Sequence, residues 1–141
     1  MTQKDKELLL KDLCARLPYG VMCNIGLNHP LQLQRIFVDR LDGILLDFYE
    51  DGKNYQVYLS EVKPYLFPLE SMTEEQSLEL EIITDGTIGI DTYSIWDFTG
   101  YSEISLSKTL EIIQWCYQNH FDINRLIPMG LAIDATNVNI Y

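Results

Sequence analysis

The sequence has few cysteines and no long hydrophobic run. Its three cysteines, Cys14, Cys23 and Cys116, are widely spaced and form no Cys-X-X-Cys pair, which argues against a secreted disulfide framework. No stretch approaches the roughly 20 consecutive apolar residues of a membrane helix. The short run Leu8–Leu10 follows a charged segment and does not resemble a signal peptide. We therefore expect a cytoplasmic protein without membrane association.

The sequence also lacks the common motifs for nucleotide binding and hydrolysis. It contains no GxGxxG, GxxxxGK[ST], GxSxG or HExxH segment. The glycines of the first two motifs let backbone amides approach phosphate groups, and the last two motifs place a nucleophile or a zinc site. We accordingly predict no cofactor.

Basic residues are scarce. Ten Lys and Arg stand against 21 Asp and Glu, for a net charge of −11. The imbalance lies mainly between Asp39 and Asp97, where three basic residues face fourteen acidic ones. Such a charge repels nucleic acid and anionic lipid. A basic protein partner is compatible with it, and so is the simple requirement for solubility.

What the chain does contain is enough apolar material for one folded domain. Its 141 residues are 47% hydrophobic, which is the usual size and composition of a single globular domain. We predict one domain over residues 1–141, without repeats or low-complexity linkers.

The first half predicts a helix followed by an antiparallel meander. Leucines recur at helical spacing from Lys4 to Leu17, and Pro18 ends the run. Extended segments follow over 21–27, 31–41, 44–50 and 53–60, and the last three are separated by Asp42-Gly43 and Asp51-Gly52. Asp-Gly pairs between β-branched and aromatic residues are typical of tight hairpins. Alternation places Leu31, Leu33, Arg35, Phe37, Asp39 and Leu41 on one face of the second strand.

The second half gives mixed signals. Thr73 and Gln76 form a capping-box pattern for a helix from about Glu74, but apolar and acidic residues alternate through Ser77–Thr84, as in a strand. Asp85-Gly86 and a short strand over Thr87–Tyr93 follow. A last helix is predicted over Leu106–Asn119. We expect the tail from Ile133 to Tyr141 to fray.

Three stretches resemble a group of small uncharacterised proteins from gut-bacterial genomes and their phages or mobile elements. They are LLLKDLCARLPYGV (Leu8–Val21), VKPYLFPLESMTEEQ (Val62–Gln76) and QNHFDINRLIPMGLAIDA (Gln118–Ala135). A basic residue often follows Pro-Tyr-Leu in that group, whereas Phe67 stands here. The resemblance implies a bacterial or phage setting and carries no assigned activity.

Together these patterns predict the α+β class, with an antiparallel β-meander packed with an N-terminal and a C-terminal helix. The strand–Asp-Gly–strand order also resembles a small SH3-like barrel, a fold that hosts many unrelated functions. An open meander would leave an edge strand through which a homodimer could form.

Two groups of polar residues are candidate chemical sites. Cys116 and His120 have the i, i+4 spacing of metal ligands on a helix, but no second Cys/His pair completes a zinc site. Helix position predicts that Cys14 and Cys116 pack as small apolar residues. A second group consists of carboxylates on or beside the meander, which could act in acid–base catalysis or hold a cation: Asp39, Asp42, Asp47, Glu50 and Asp51. The solvated surface of the sheet explains them as well, so no catalytic or metal-ligating residue is assigned.

The residues predicted to contact a partner lie later in the chain. One set is an aromatic group in a connecting segment, and the other is an acidic helix start: Tyr93, Trp96, Phe98 and Tyr101, with Glu74 and Glu75. Aromatic side chains can anchor a partner or close the end of a sheet. The sequence favours a non-enzymatic protein-interaction module, with a small metal-dependent or acid–base enzyme as the alternative and an acidic nucleic-acid mimic as a third hypothesis.

Overall fold

The computed structural model describes residues 1–83 and 106–141, and within the last helix the side chains from Thr109 onward. The helices are α1 (Gln3–Arg16), α2 (Glu74–Ile83) and α3 (Leu106–Gln118), and the strands are β1 (Met22–Asn24), β2 (Leu31–Asp39), β3 (Gly43–Glu50), β4 (Lys53–Tyr58), β5 (Lys63–Leu66) and β6 (Ile133–Asp134). The chain therefore has the predicted α+β class with an N-terminal helix. In the described part of the chain, no helix is both long and apolar enough to cross a membrane. The predicted strand over Thr87–Tyr93 lies outside the described residues.

The strands form one sheet in the order β4-β3-β2-β1-β5-β6. Neighbours pair antiparallel except β5 and β6, which pair parallel. The predicted four-strand meander over β1–β4 is thus confirmed. Within residues 1–83 and 106–141 the sheet stays open, with β4 and β6 at its ends, so the SH3-like barrel does not close. Strand β4 is an edge of the kind that the predicted homodimer would need, and the dimer stays a prediction.

Two hairpin turns connect β2, β3 and β4. Glu50 pairs with Lys53, so Asp51 and Gly52 alone form the second turn, with φ of 49° and 79°. Positive φ at both positions defines the type I′ turn that Asp-Gly favours. The first turn is longer, because Asp39 pairs with Gly43 across three loop residues. In this turn the Asp39 carboxylate accepts hydrogen bonds from the backbone amides of Leu41 and Asp42. These hydrogen bonds lower the pKa of Asp39.

A β-bulge changes which side of β2 faces the core. Leu33 pairs with Phe48, and the register then shifts before Arg35 pairs with Asp47. Because one residue is inserted at Gln34, Leu33 faces the core while Arg35 faces the opposite side. The predicted common face of Leu31, Leu33, Arg35, Phe37, Asp39 and Leu41 is therefore wrong beyond Leu33. We call the side of β2–β4 that carries Arg35 and Asp47 the outer face.

The described chain divides into two compact units. The first unit contains Met1–Leu66 and Asn124–Tyr141, and the second contains Phe67–Ile123. The prediction of a single domain over 1–141 stays a prediction.

The core of the first unit lies between α1, the sheet and the segment that follows Asn124. Its buried members are Leu9, Leu13, Val21, Cys23, Leu31, Leu33, Leu46, Phe48, Leu59, Val62, Leu66, Leu126, Leu131 and Ala132. Helix α1 starts at a capping box that the sequence reading missed: the Asp5 amide donates to Thr2 Oγ1, and the Thr2 amide donates to Asp5 Oδ2.

An ion pair is enclosed in this unit. Arg16 donates from Nε to Asp12 Oδ2 at 2.7 Å and from Nη2 to Asp12 Oδ1 at 3.0 Å. Both side chains are fully buried. Asn124 Nδ2 also donates to Asp12 Oδ1, at 2.8 Å. The pair therefore ties α1 to the C-terminal segment of the chain.

The last residues are anchored, so the expectation that Ile133–Tyr141 frays is wrong. Strand β6 pairs with β5. The Tyr141 hydroxyl donates to the Tyr65 carbonyl at 2.8 Å and accepts from the Met22 amide at 3.0 Å. This hydroxyl therefore joins the backbones of β1 and β5.

The second unit is built around α2 and α3. Helix α2 resolves the ambiguity over Ser77–Thr84 in favour of a helix to Ile83, and Thr73 caps it as predicted, with reciprocal hydrogen bonds to Gln76. Its core consists of Leu69, Leu80, Ile112, Trp115, Cys116 and Phe121. Trp115 stacks on Phe121 with ring centroids 5.6 Å apart.

We expect the Asp12–Arg16 pair to show strong coupling in a double-mutant cycle. Arg16→Met leaves a buried carboxylate without its cation and should lower the free energy of unfolding by about 3–5 kcal/mol. The double variant Asp12→Leu/Arg16→Met removes both charges and should be at least about 2 kcal/mol more stable than the single variant Arg16→Met. Urea denaturation measures both. If the double variant loses as much free energy of unfolding as Asp12→Leu and Arg16→Met lose together, the two residues are not coupled and the prediction is wrong.

We expect the Tyr141 hydroxyl to stabilise the fold in a pH-dependent way. Burial raises the pKa of Tyr141 above its ordinary value of 10.0. Because the folded pKa exceeds the unfolded one, the stabilisation is complete below the unfolded pKa and decreases as the pH rises above it. Tyr141→Phe should cost about 1 kcal/mol near neutral pH, and its difference from the wild type should shrink above about pH 10. Tyr49→Phe is the control, since Tyr49 is 59% exposed; an identical pH response of the two variants would refute the prediction.

Candidate functional site

The structure describes two of the six residues predicted to contact a partner. Glu74 and Glu75 lie exposed in the first turn of α2. The aromatic residues Tyr93, Trp96, Phe98 and Tyr101 lie outside the described residues, so their contact with a partner stays a prediction.

The cysteines differ in their surroundings. Cys116 is buried in the core of the second unit, as predicted. His120 follows α3 with a φ of 62°, in the left-handed conformation common just beyond a helix end. Cys14, by contrast, is exposed, so its predicted apolar packing is wrong. Helix α1 turns Leu9 and Leu13 to the core and leaves Cys14 outside that stripe. Across residues 1–83 and 106–141, no three His, Cys, Asp or Glu side chains are placed to share a metal ion.

Most carboxylates of the meander have local partners. Asp39 accepts from its own loop, as described above. Asp42 Oδ1 accepts from the Tyr58 hydroxyl at 3.3 Å, and Glu50 lies 2.8 Å from His29 Nε2. The charge of Asp42 raises the pKa of Tyr58. These contacts tie the carboxylates to separate turns and strands, as expected for residues that stabilise a sheet surface.

Asp47 is the exception, because it is buried on the outer face. It is 6% exposed, although its neighbours Leu46 and Phe48 point to the core on the other side. Arg35 Nε donates to Asp47 Oδ2 at 2.8 Å, and Arg35 Nη2 contacts the same oxygen. The second oxygen, Oδ1, is buried and has no hydrogen-bond partner among the described residues. The sequence placed Asp47 among carboxylates that could act in acid–base catalysis or hold a cation, or that simply cover a solvated surface. Its burial opposite Arg35 depends on the bulge, which the alternation along β2 does not reveal.

Two clefts open on the first unit. One, of about 370 Å³, lies where one face of α1 meets the ends of β3 and β4, and Leu10, Ile44 and Leu59 contribute its apolar lining. The other, of about 570 Å³, lies on the outer face and is lined by Gln34, Arg35, Asp47, Tyr49 and Asn54. We call the second one the Asp47 cleft.

Charge is distributed unequally between the two units. The second unit, Phe67–Ile123, contains eleven acidic residues and one basic residue, Lys108, for a net charge of −10. The first unit contains the other ten acidic residues and nine basic ones, for a net charge of −1. The acidity that the sequence reading assigned to Asp39–Asp97 therefore belongs mostly to the unit that begins at Phe67.

Helix α2 exposes apolar as well as acidic side chains. Leu78 is 48% exposed and Ile82 is 76% exposed. These two residues are four positions apart and therefore lie on one side of the helix. Toward the start of the helix, the same side carries Glu74 and Glu75. Leu80 and Ser77 are buried on the other side. We call the exposed side, formed by Glu74, Glu75, Leu78 and Ile82, the α2 face.

We expect one rapidly reacting thiol in the native protein. Cys14 is exposed, whereas Cys23 and Cys116 are buried, and burial raises the pKa of Cys23. Since the thiolate is the reactive form, a thiol reagent such as DTNB should modify Cys14 quickly and the other two only after unfolding. Cys14→Ser should abolish the rapid phase. A rapid phase that survives this substitution would contradict the placement of Cys14.

Comparisons of the chain with protein-family models, with curated proteins and with solved structures find no match.

Proposed function

We propose that the protein is a non-enzymatic interaction module that binds a basic protein partner through its second unit. The observation that carries this proposal is the charge of that unit, eleven acidic residues against one basic residue. A field of one sign over a small surface accelerates encounter with a partner of opposite charge and disfavours other partners.

The α2 face supports the same proposal with a concrete contact surface. Leu78 and Ile82 are exposed beside Glu74 and Glu75. This surface is complementary to an amphipathic helix of a partner that carries apolar and basic side chains on the same face. Helices of this kind bind by inserting apolar side chains spaced three or four residues apart into a partner's surface. The glutamates would pair with the flanking Lys or Arg residues, and Leu78 and Ile82 would receive the apolar stripe.

The other hypotheses draw less support. Asp39, Asp42 and Glu50 of the meander are engaged by their own turn, strand and histidine neighbours, which does not favour a regular carboxylate row for a nucleic-acid mimic. The enzyme hypothesis and the bacterial or phage setting stay predictions.

We expect a helical peptide of lysine and leucine, arranged amphipathically, to bind the full chain through the α2 face. Fluorescence anisotropy with the labelled peptide gives the affinity. Glu74→Gln/Glu75→Gln should weaken binding about three- to tenfold at low salt, and the difference should shrink at high salt because screening weakens the charge pairs. Leu78→Ser/Ile82→Ser should weaken binding by a similar factor that depends little on salt.

The matched control is Glu7→Gln/Glu50→Gln, which removes the same charge from the first unit. It should change the affinity less than about twofold. If this control weakens binding as much as Glu74→Gln/Glu75→Gln does, the attraction is a property of the net charge and the proposed surface is wrong. An unchanged affinity in Leu78→Ser/Ile82→Ser would equally remove the α2 face from the proposal.

A further inference from the structure

The outer face of the meander carries a buried carboxylate. Asp47 lies in the middle of β3, and its side chain is 8% exposed. A buried charge is costly unless its partners satisfy it fully. An apolar residue at this position would resemble Leu45, which precedes it by two residues on the same face and is also buried. The presence of a buried carboxylate there points to a role outside folding.

The hydrogen bonding of Asp47 is one-sided. Both contacts from Arg35 reach Oδ2, and Oδ1 is buried without a hydrogen-bond partner in the described part of the chain. Leaving a buried acceptor unsatisfied costs about 1–3 kcal/mol. A ligand that donates a hydrogen bond to Oδ1 would recover that free energy on binding.

Arg35 is held in place but remains accessible. Its guanidinium carbon lies 4.5 Å from the centroid of the Phe37 ring, and its side chain is 61% exposed. Since its positive charge cancels that of Asp47, the paired centre of the cleft is close to neutral and favours an uncharged ligand over an ion.

The rest of the cleft offers donors, acceptors and one aromatic ring. Gln34 and Asn54 contribute amide groups, each of which both donates and accepts. Tyr49 and Asn54 face each other across β3 and β4, and Tyr49 exposes 59% of its surface. An exposed ring beside planar polar side chains presents an apolar platform with hydrogen-bonding groups at its margin.

We propose that the Asp47 cleft binds a neutral carbohydrate. Adjacent sugar hydroxyls donate and accept at the same time, so one can donate to Asp47 Oδ1 while its neighbour accepts from Arg35 or from an amide of Gln34 or Asn54. The apolar C–H face of the sugar ring then stacks on Tyr49. A cleft of about 570 Å³ that is open to solvent admits part of a chain, so the ligand class is an oligosaccharide. This inference is independent of the proposed basic partner.

The test uses the full chain labelled with ¹⁵N and three neutral probes, maltotetraose, cellotetraose and tetraacetylchitotetraose. At about 10 mM probe, a concentration that detects millimolar affinity, at least one probe should shift the amide signals of Gln34, Arg35, Asp47, Tyr49 and Asn54. Tyr49→Ala should weaken that binding about tenfold because the stacking platform is lost. Asp47→Asn should weaken it as well, because one carboxylate oxygen is replaced by an NH2 group that donates and cannot accept, so Arg35 and the sugar hydroxyl no longer each have an oxygen to bond.

Tyr58→Ala is the matched control. Tyr58 is a tyrosine on the same face, 47% exposed, that does not line the Asp47 cleft, and its loss should change the affinity less than about twofold. The absence of cleft shifts with all three probes overturns the proposal, and so does an equal loss of affinity in Tyr49→Ala and Tyr58→Ala. An uncharged Ser/Thr peptide is the last arm. If it shifts the outward amides of β4 and the sugars shift nothing, the cleft receives an added peptide strand and the carbohydrate proposal fails.

Discussion

The ion pair between Asp12 and Arg16 is the constraint on which the first unit depends. This unit is assembled from two stretches of chain, and the carboxylate of Asp12 is bonded to both: to Arg16 within α1 and to Asn124 in the returning segment. Because both side chains are fully buried, Asp12 depends on protein partners rather than on water, and its hydrogen bond from Asn124 Nδ2 holds the returning segment to α1 at a defined position. Apolar contacts alone would tolerate several positions of that segment, since they have no direction.

Placing the returning segment also fixes the far side of the sheet. Strand β6 begins nine residues after Asn124 and pairs with β5, and Tyr141 then joins the backbones of β1 and β5. The meander is a local structure that its own turns can form, whereas β5 receives its outer neighbour β6, and β1 its hydrogen bond to Tyr141, from the far end of the chain. The β2–β4 part of the sheet is therefore stabilised by local turn preferences, whereas the β1, β5 and β6 part depends on long-range polar contacts.

The two proposed binding surfaces differ in how visible they are in the sequence. The acidity of the unit that contains the α2 face can be counted from the sequence. Thr73, Gln76 and the glutamates between them also predict helix α2, which carries that face. The Asp47 cleft has no such signal. Strict alternation along β2 would put Arg35 beside Leu33, toward the core, and only the bulge at Gln34 brings Arg35 opposite Asp47. An extra residue in a strand depends on how both strands twist together, so a single strand's pattern cannot reveal it.

The sequence by itself determined the elements whose cause is local. The Asp-Gly turn at Asp51-Gly52 requires positive φ, which Gly adopts freely and Asp tolerates, and the caps at Thr73 and Gln76 are satisfied within four residues. The tertiary structure decided everything that depends on residues far apart in the chain: the pairing of Tyr141 with Met22 and Tyr65, the closure of Asp12 on Asn124, and the burial of Asp47 on the outer face. Each of these is a contact between segments that no local propensity brings together, because their free energy appears only when the whole unit is packed.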